Sequence, residues 1–263
     1  YVNRWAVTPS QNVAIFTNNN DGHQTARALL NKGVKVAAVI DTRKQKVSSP
    51  DYETFSNAVV SNTSGRLGLI SIIVRHEDGS QRTVKCGALG VSGGWNPNIN
   101  ISSHHRGRPI WKESIQSFIP DDNCPSGLLV AGSAKGVMEL QDVIKSGHDA
   151  AVQALGSLSI KPQGINLPKV QGDVDFAIEP FWIVKGTSRG WVDQQNDVTA
   201  KDIKLAKQEN FTSVEHLKRY TTLGMATDQG KTANISGLAI MANLLGKPIP
   251  EVGTTIYRPP YTP

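Results

Sequence analysis

The residues best suited to chemistry lie in short stretches that could hold a phosphorylated ligand. Gly132-Ser133-Ala134-Lys135-Gly136 follows the apolar run Leu128 to Ala131 and precedes a helical pattern. Small residues at a helix start leave backbone N–H groups open to an anion, so Gly132, Ser133, Ala134 and Gly136 are candidate pyrophosphate contacts. Thr17-Asn18-Asn19-Asn20-Asp21-Gly22 lies between a strand pattern and a helix pattern, the usual place of a dinucleotide. Asn18 and Asn19 are its candidate contacts. Asp41 closes the next strand pattern, where a ribose-binding acid would stand. Lys218, Arg219 and Lys231 either cradle a phosphate group or form a solvated face.

Each stretch also departs from the pattern it suggests. A dinucleotide fingerprint needs several glycines in the first turn, so that pyrophosphate can approach the backbone. This turn has one glycine and a carboxylate, and an acid takes the positive helix end for itself. Capping by Asn20 or Asp21 is therefore favoured over a working phosphate site. No nucleophile elbow, Walker loop, His-Glu-x-x-His or cysteine cluster occurs. His104-His105 reads as a loop pair and His216 as a polar-surface histidine. No catalytic residue and no metal site is assigned.

Hydrophobic residues make up 38% of the chain, ordinary for a soluble protein, and no apolar run reaches the length of a membrane span. The net charge of +6 admits an anionic partner. Lys and Arg are scattered, however, with no basic block interleaved with aromatics, so no nucleic-acid partner is expected. Cys86 and Cys124 are far apart and read as reduced thiols in a cytoplasmic protein.

The elements that must position these residues can be read in order. Val13 to Phe16 is a buried strand, and a helix with Ala26, Leu29 and Leu30 on its apolar face stops at Gly33. Val34 to Ile40 is a second buried strand. This is a βαβ unit of Rossmann type. Leu67 to Arg75 and Thr83 to Val91 form a hairpin around Asp78-Gly79. Leu128 to Gly132 is a short strand of the buried type, followed by helix from about 137 to 155; if the strands it returns to lie outside this chain, Leu128-Leu129-Val130 would be left on an exposed sheet edge. Prolines and glycines mark 156–190 as a connector ending in Phe176, Phe181, Trp182 and Trp191. Residues 198–245 read as short helices, with Thr199 and Asp202 as an acidic capping box and Gly246 as the stop.

Residues 191–237 also have the outline of a small helical module that holds a [2Fe-2S] cluster. Such modules open with Cys-x-Cys before a Val-Thr helix start and close with Cys-x4-Cys after a Gly-Met turn. Val198-Thr199 and Gly224-Met225 are in place, but the ligand positions hold Asp193, Gln195, Asp228 and Ala233. Clusters are held by thiolates, so the scaffold is expected without the cluster.

The run Val192 to Gly230, the tail Ile249 to Thr255 and Arg258 to Pro263 resemble the alpha subunit of heterotetrameric sarcosine oxidase. So do Phe16 to Asp21, Val91 to Pro97 and Ala131 to Gly136. The resemblance implies an α/β fold: a Rossmann-like nucleotide-binding lobe of the flavoprotein disulfide-reductase type, followed by the small all-α module without its cysteines. It implies a second nucleotide lobe over 1–118 and a strand–helix return to the first lobe over 119–158. A linker over 159–190, the cluster-less module over 191–246 and a tail over 247–263 follow, the tail leading to a folate-binding-type domain. Because the chain opens at Tyr1, it is expected to be an internal piece that lacks the N- and C-terminal parts of alpha. The implied reaction is oxidative demethylation of sarcosine to glycine, with hydrogen peroxide and a one-carbon unit passed to tetrahydrofolate. NAD would be held by alpha, FMN at the alpha–beta interface and FAD on beta, with beta, gamma and delta subunits as partners. A related amine or imino-acid dehydrogenase subunit, or a non-enzymatic subunit-binding scaffold, are the alternatives.

Overall fold

The apolar runs around residues 13 and 36 become the two inner strands of a parallel sheet, as expected of strands buried on both faces. The computed structural model describes all residues except 46, 105–106, 122–123, 173–175, 188, 254–257 and 260–263. The chain divides into two compact units, Tyr1–Gly94 with Phe176–Ser188, and Trp95–Asp175 with Arg189–Pro263. The first unit thus ends earlier than residue 118, and part of the 159–190 connector belongs to it. His105, the His104 side chain and most of the tail after Gly253 lie outside the described residues.

In the first unit a short helix α1 (Val2–Trp5) precedes β1 (Asn12–Thr17), α2 (Asn20–Leu30) and β2 (Lys35–Asp41). Strands β3 (Glu53–Ser56), β4 (Ala58–Ser64), β5 (Ser71–His76), β6 (Gln81–Lys85) and β7 (Ala88–Ser92) complete the unit's sheets. The parallel sheet has the order β3-β2-β1-β7, and β4-β5-β6 form a separate antiparallel sheet. One face of the parallel sheet, with Val13, Ile15, Val36 and Val39, packs with Ala26 and Leu29 of α2. The other, with Ala14, Ala38, Ile40 and Phe55, packs with Val60, Ile72, Val74 and Val84 of the antiparallel sheet. Register slips between β1 and β2, where Val13 pairs with Val36 but Ala14 with Ala38. That extra residue is a bulge. It lets Val36 and Val39 share a face despite their odd spacing.

The expected hairpin forms only in part. Leu67 is fully exposed and β5 begins at Ser71. The second stretch splits: β6 stays beside β5, while β7 crosses over to pair with β1. The split falls where the Cys86 N–H bonds Ile70 O and the Gly87 N–H bonds Asn12 O, handing the backbone from one sheet to the other. A similar handover joins β3 to β4 through Asn57, which is left-handed at φ 51°.

The second unit begins with α3 (Asn100–His104) and a hairpin of β8 (Ile110–Lys112) and β9 (Ser117–Ile119). The expected strand at 128–132 is not formed. Leu128 to Ala131 has no regular structure, Gly132–Lys135 is a 3-10 turn, and α4 (Leu140–Ser157) starts three residues beyond the expected 137. A buried parallel strand needs hydrogen-bonded neighbours, and among the described strands none pairs with this run. The edge-pairing expectation for Leu128 to Val130 falls with it. Helix α4 buries none of its residues.

The last module is not purely helical. It opens on a small hairpin of β10 (Trp191–Asp193) and β11 (Val198–Thr199), then runs through α5 (Ala200–Gln208), α6 (Val214–Thr221), α7 (Asn234–Leu245) and α8 (Ile249–Val252). The Asp202 carboxylate accepts the Thr199 N–H at 2.7 Å and its hydroxyl at 2.6 Å, capping α5. Helix α7 is buried along most of its length, and Leu238 and Met241 on it are fully buried, as are Ile203 of α5, Leu217 of α6 and Leu223.

Candidate functional site

The crevice at the C-terminal ends of β1 and β7 is where the strand order reverses, the position that binds ligands in such sheets. Asn19, rather than Asn20 or Asp21, is the N-cap of α2, and its Oδ1 accepts the Asp21 N–H at 2.9 Å. Its Nδ2 donates to Asn18 Oδ1 and to Ser92 O, both at 2.9 Å. Asn18 Nδ2 donates to Glu179 O at 2.7 Å. Both asparagines are buried, so their amides tie the turn together.

Asp41 is also committed. It is fully buried, and Arg43 holds it through its backbone N–H at 2.9 Å and its Nη2 at 2.7 Å. His23 Nε2 lies 2.9 Å from Asp41 Oδ2, and His23 Nδ1 is 3.4 Å from the Tyr52 hydroxyl. Burial pushes the Asp41 carboxyl up, but the hydrogen bonds from His23 and Arg43 outweigh it and hold the group below its ordinary range. Both oxygens are thus occupied by protein donors, and Asp41 offers none to a ribose. Arg43 and His23 were not singled out from the sequence. The only signals were an Asp-x-Arg spacing at a strand end and a histidine on the apolar side of α2.

In the second unit, Gly132 is buried with φ 60°, and its N–H donates to Ser146 Oγ at 3.1 Å. Gly136 is also left-handed, at φ 77°, and ends the 3-10 turn by donating to Ser133 O. Ser133 is exposed. Beside this turn lies a cavity of about 650 Å³ whose lining includes Leu129, Cys124, Lys135, Lys145, Asp142 and Asp149. Its lining mixes both charge signs with apolar side chains.

The positions matching cluster ligands are joined by hydrogen bonds. Asp193 is buried, and its Oδ1 accepts the N–H groups of Gln195 at 2.9 Å and Asn196 at 3.2 Å. Its Oδ2 accepts the Gly224 N–H at 2.8 Å. Gln195 Oε1 accepts the Thr227 hydroxyl at 3.0 Å. Asp228 accepts the N–H groups of Gly230 and Thr232 at 3.0 and 3.3 Å. Ala233 is fully buried at the start of α7. These carboxylates spend their lone pairs on loop amides, and among the described residues no group of His, Cys, Asp and Glu is placed to hold a metal ion.

The basic candidates lie on different segments of the second unit. Lys218 and Arg219 lie on α6, and Arg219 pairs with Glu215 at 3.5 Å. Burial lowers the Lys218 ammonium below its usual range. Lys231 precedes α7 and reaches Asn98 Oδ1 at 3.3 Å.

Residues 187–263 match the family described as the sarcosine oxidase A3 domain. The whole chain is 36% identical, over 269 residues, to sarcosine oxidase subunit alpha of Rhizobium meliloti (strain 1021), of which it covers 27%. It is 31% identical over 291 residues to the namesake of Corynebacterium sp. (strain U-96), again over its full length and 29% of that protein. The chain therefore spans a little over a quarter of the curated relatives it matches. Its fold also resembles L-proline dehydrogenase from P. horikoshii, with a TM-score of 0.69 at 17% identity, over 98% of this chain and 50% of that one. No described helix is long and apolar enough to cross a membrane. Along its entire length, then, the chain is homologous to sarcosine oxidase subunit alpha.

Proposed function

We propose that this chain serves as part of the alpha subunit of a heterotetrameric sarcosine oxidase. That complex would demethylate sarcosine oxidatively to glycine, release hydrogen peroxide and pass a one-carbon unit to tetrahydrofolate. The observation that carries the reading is similarity along the whole of this chain to 27–29% of two curated alpha subunits, with the A3-domain match over 187–263. The chain's own part is to scaffold NAD and one wall of the FMN site at the interface with beta. FAD on beta would do the amine oxidation, and no residue here is assigned to it. Beta, gamma and delta are the proposed partners, in the cytoplasm.

Around Gly132 the fit to a pyrophosphate is selective. The Gly132 N–H already serves Ser146, so Ser133 and Ala134 would supply the backbone donors, with Lys135 and Lys145 on the cavity wall as counter-charges. Gly136 shapes the turn. Lys218, Arg219 and Lys231 are further phosphate candidates, Lys218 being the most desolvated. The 191–246 module is read as a [2Fe-2S]-type scaffold in which Asp193 and Asp228 replace metal ligands by accepting loop N–H groups and Gln195 by accepting the Thr227 hydroxyl. Co-expression with beta, gamma and delta, followed by assay of sarcosine-dependent peroxide, tests the function. Activity is expected only in the assembled complex. A complex that forms and leaves sarcosine untouched would refute the substrate.

A further inference from the structure

We infer that the segment Ala177–Glu179 is an internal occupant of the nucleotide crevice in the first unit, and that this α/β lobe takes no dinucleotide. This is independent of the nucleotide proposed near Gly132. The segment lies across the mouth of the β1–α2 turn, where a pyrophosphate would sit. The Glu179 N–H donates to Asn18 O at 3.0 Å, Asn18 Nδ2 donates back to Glu179 O at 2.7 Å, and Ile178 forms an antiparallel bridge with Asn19. The Asn20 N–H donates to Ala177 O at 3.3 Å, and Arg43 Nη1 donates to the same carbonyl at 3.2 Å.

The consequence is a count of donors. A helix N-terminus binds phosphate through free backbone N–H groups. Here the Asn19 N–H goes to Thr17 Oγ1, the Asn20 N–H to Ala177 and the Asp21 N–H to Asn19 Oδ1. Close backbone approach is blocked too, because Ile178 Cδ1 lies against Gly94, 2.5 Å from where a Cβ would stand. Asp21 adds a like charge, and Asp41 is closed by Arg43. A Gly-rich crevice would keep all of these open.

The test is photolabelling of the purified full-length protein with an azido-adenine analogue of NAD and one of NADP, followed by peptide mapping. No label is expected in peptides carrying residues 12–31 or 88–94, whatever happens elsewhere in the protein. Amide exchange at Asn20 and Glu179 should also be unchanged by saturating NADH. Label in those peptides, or deprotection of Glu179 on adding nucleotide, would overturn the inference. Label confined to peptides around 132–136 would leave it intact, and absence of that label would count against the proposed NAD site alone. In a variant carrying Ile178→Gly and Glu179→Gly, exchange at Asn20 should speed up about tenfold or more with circular dichroism unchanged. Unchanged exchange in a folded variant would also overturn it. If the variant does not fold, labelling and exchange of the unaltered protein decide.

Discussion

Arg43 grips Asp41 from two sides, its backbone N–H on Oδ1 at 2.9 Å and its guanidinium Nη2 on Oδ2 at 2.7 Å, with both side chains almost wholly buried. Removing one partner of such a pair strands the other charge. Asp41→Asn is expected to lower unfolding free energy by about 3–5 kcal/mol. The double change Asp41→Leu with Arg43→Met should recover a large part of it, because no lone charge remains. Urea denaturation measures both, and a loss under about 1 kcal/mol for Asp41→Asn would show the pair to be idle.

The Asp41 carboxylate, held by His23 and Arg43, sets an acid limit. The Asp41 carboxyl sits below its ordinary range in the folded chain, so its stabilisation is complete above the unfolded value of about 3.9. It is lost as pH falls through the lower, folded value. The stability gap between the native chain and Asp41→Asn should therefore be level from neutral pH down to about pH 5, then shrink as the medium becomes more acid. A gap that widens with acid would reverse the sign and refute this.

Legibility from the sequence followed burial on two faces. β1, α2 and β2 were readable because strands covered on both sides are continuous apolar runs and the helix between them shows one apolar face. Strands β3 and β4 were not, since Glu53-Thr54-Phe55-Ser56 has a single large apolar residue and β4 opens on Ala58-Val59-Val60 but closes on the wholly polar Ser61-Asn62-Thr63-Ser64, with no clean alternation in either. The run Leu128 to Val130 looked like a strand, yet composition cannot say whether a neighbouring strand is there to pair with it. Asp41 was located correctly at a strand end. Its role was not, because the partner that closes it lies two residues on, in a loop where arginine usually faces water.

Asp193 should be a structural hub of the last module. It accepts three loop N–H groups, from Gln195, Asn196 and Gly224. Buried donors left without an acceptor cost about 1–3 kcal/mol each. Asp193→Ala is expected to lose at least about 2 kcal/mol, and Asp193→Asn less, since one acceptor oxygen remains. The purified protein should carry no stoichiometric iron or acid-labile sulfide. Visible absorption bands with matching iron content would sink the idea of a hydrogen-bonded substitute.

Gly230 and Gly224 both adopt left-handed φ, 77° and 67°, and a Cβ at either would stand 2.2 Å from Asn234 Oδ1. Gly230→Ala pays for both the conformation and the collision. A loss of about 1–2 kcal/mol or more is expected. Adding Asn234→Ala should recover the collision part and leave the conformational part. If the second change makes matters worse by its full separate cost, the contact with Asn234 is not what excludes a side chain.

The two candidate nucleotide turns should respond oppositely to substitution. Asn19→Ala removes the α2 cap and the ties to Asn18 and Ser92, so it should cost about 1 kcal/mol of stability. It should leave nucleotide content unchanged, because the N–H groups of Asn19, Asn20 and Asp21 are already spent on the chain itself. Gly132→Asp should act on content instead. A carboxylate there would face the phosphate, and its backbone must hold φ 60° with Val143 Cγ1 only 3.2 Å from the new Cβ. Gly132→Ala carries the same strain without the charge and serves as the control. Nucleotide released by acid from each purified complex gives the ranking. Gly132→Asp should fall well below Gly132→Ala, and Asn19→Ala should match the unaltered protein. Equal loss in the alanine and aspartate variants would assign the effect to backbone strain and remove the charge argument, and loss confined to Asn19→Ala would return the nucleotide to the first unit.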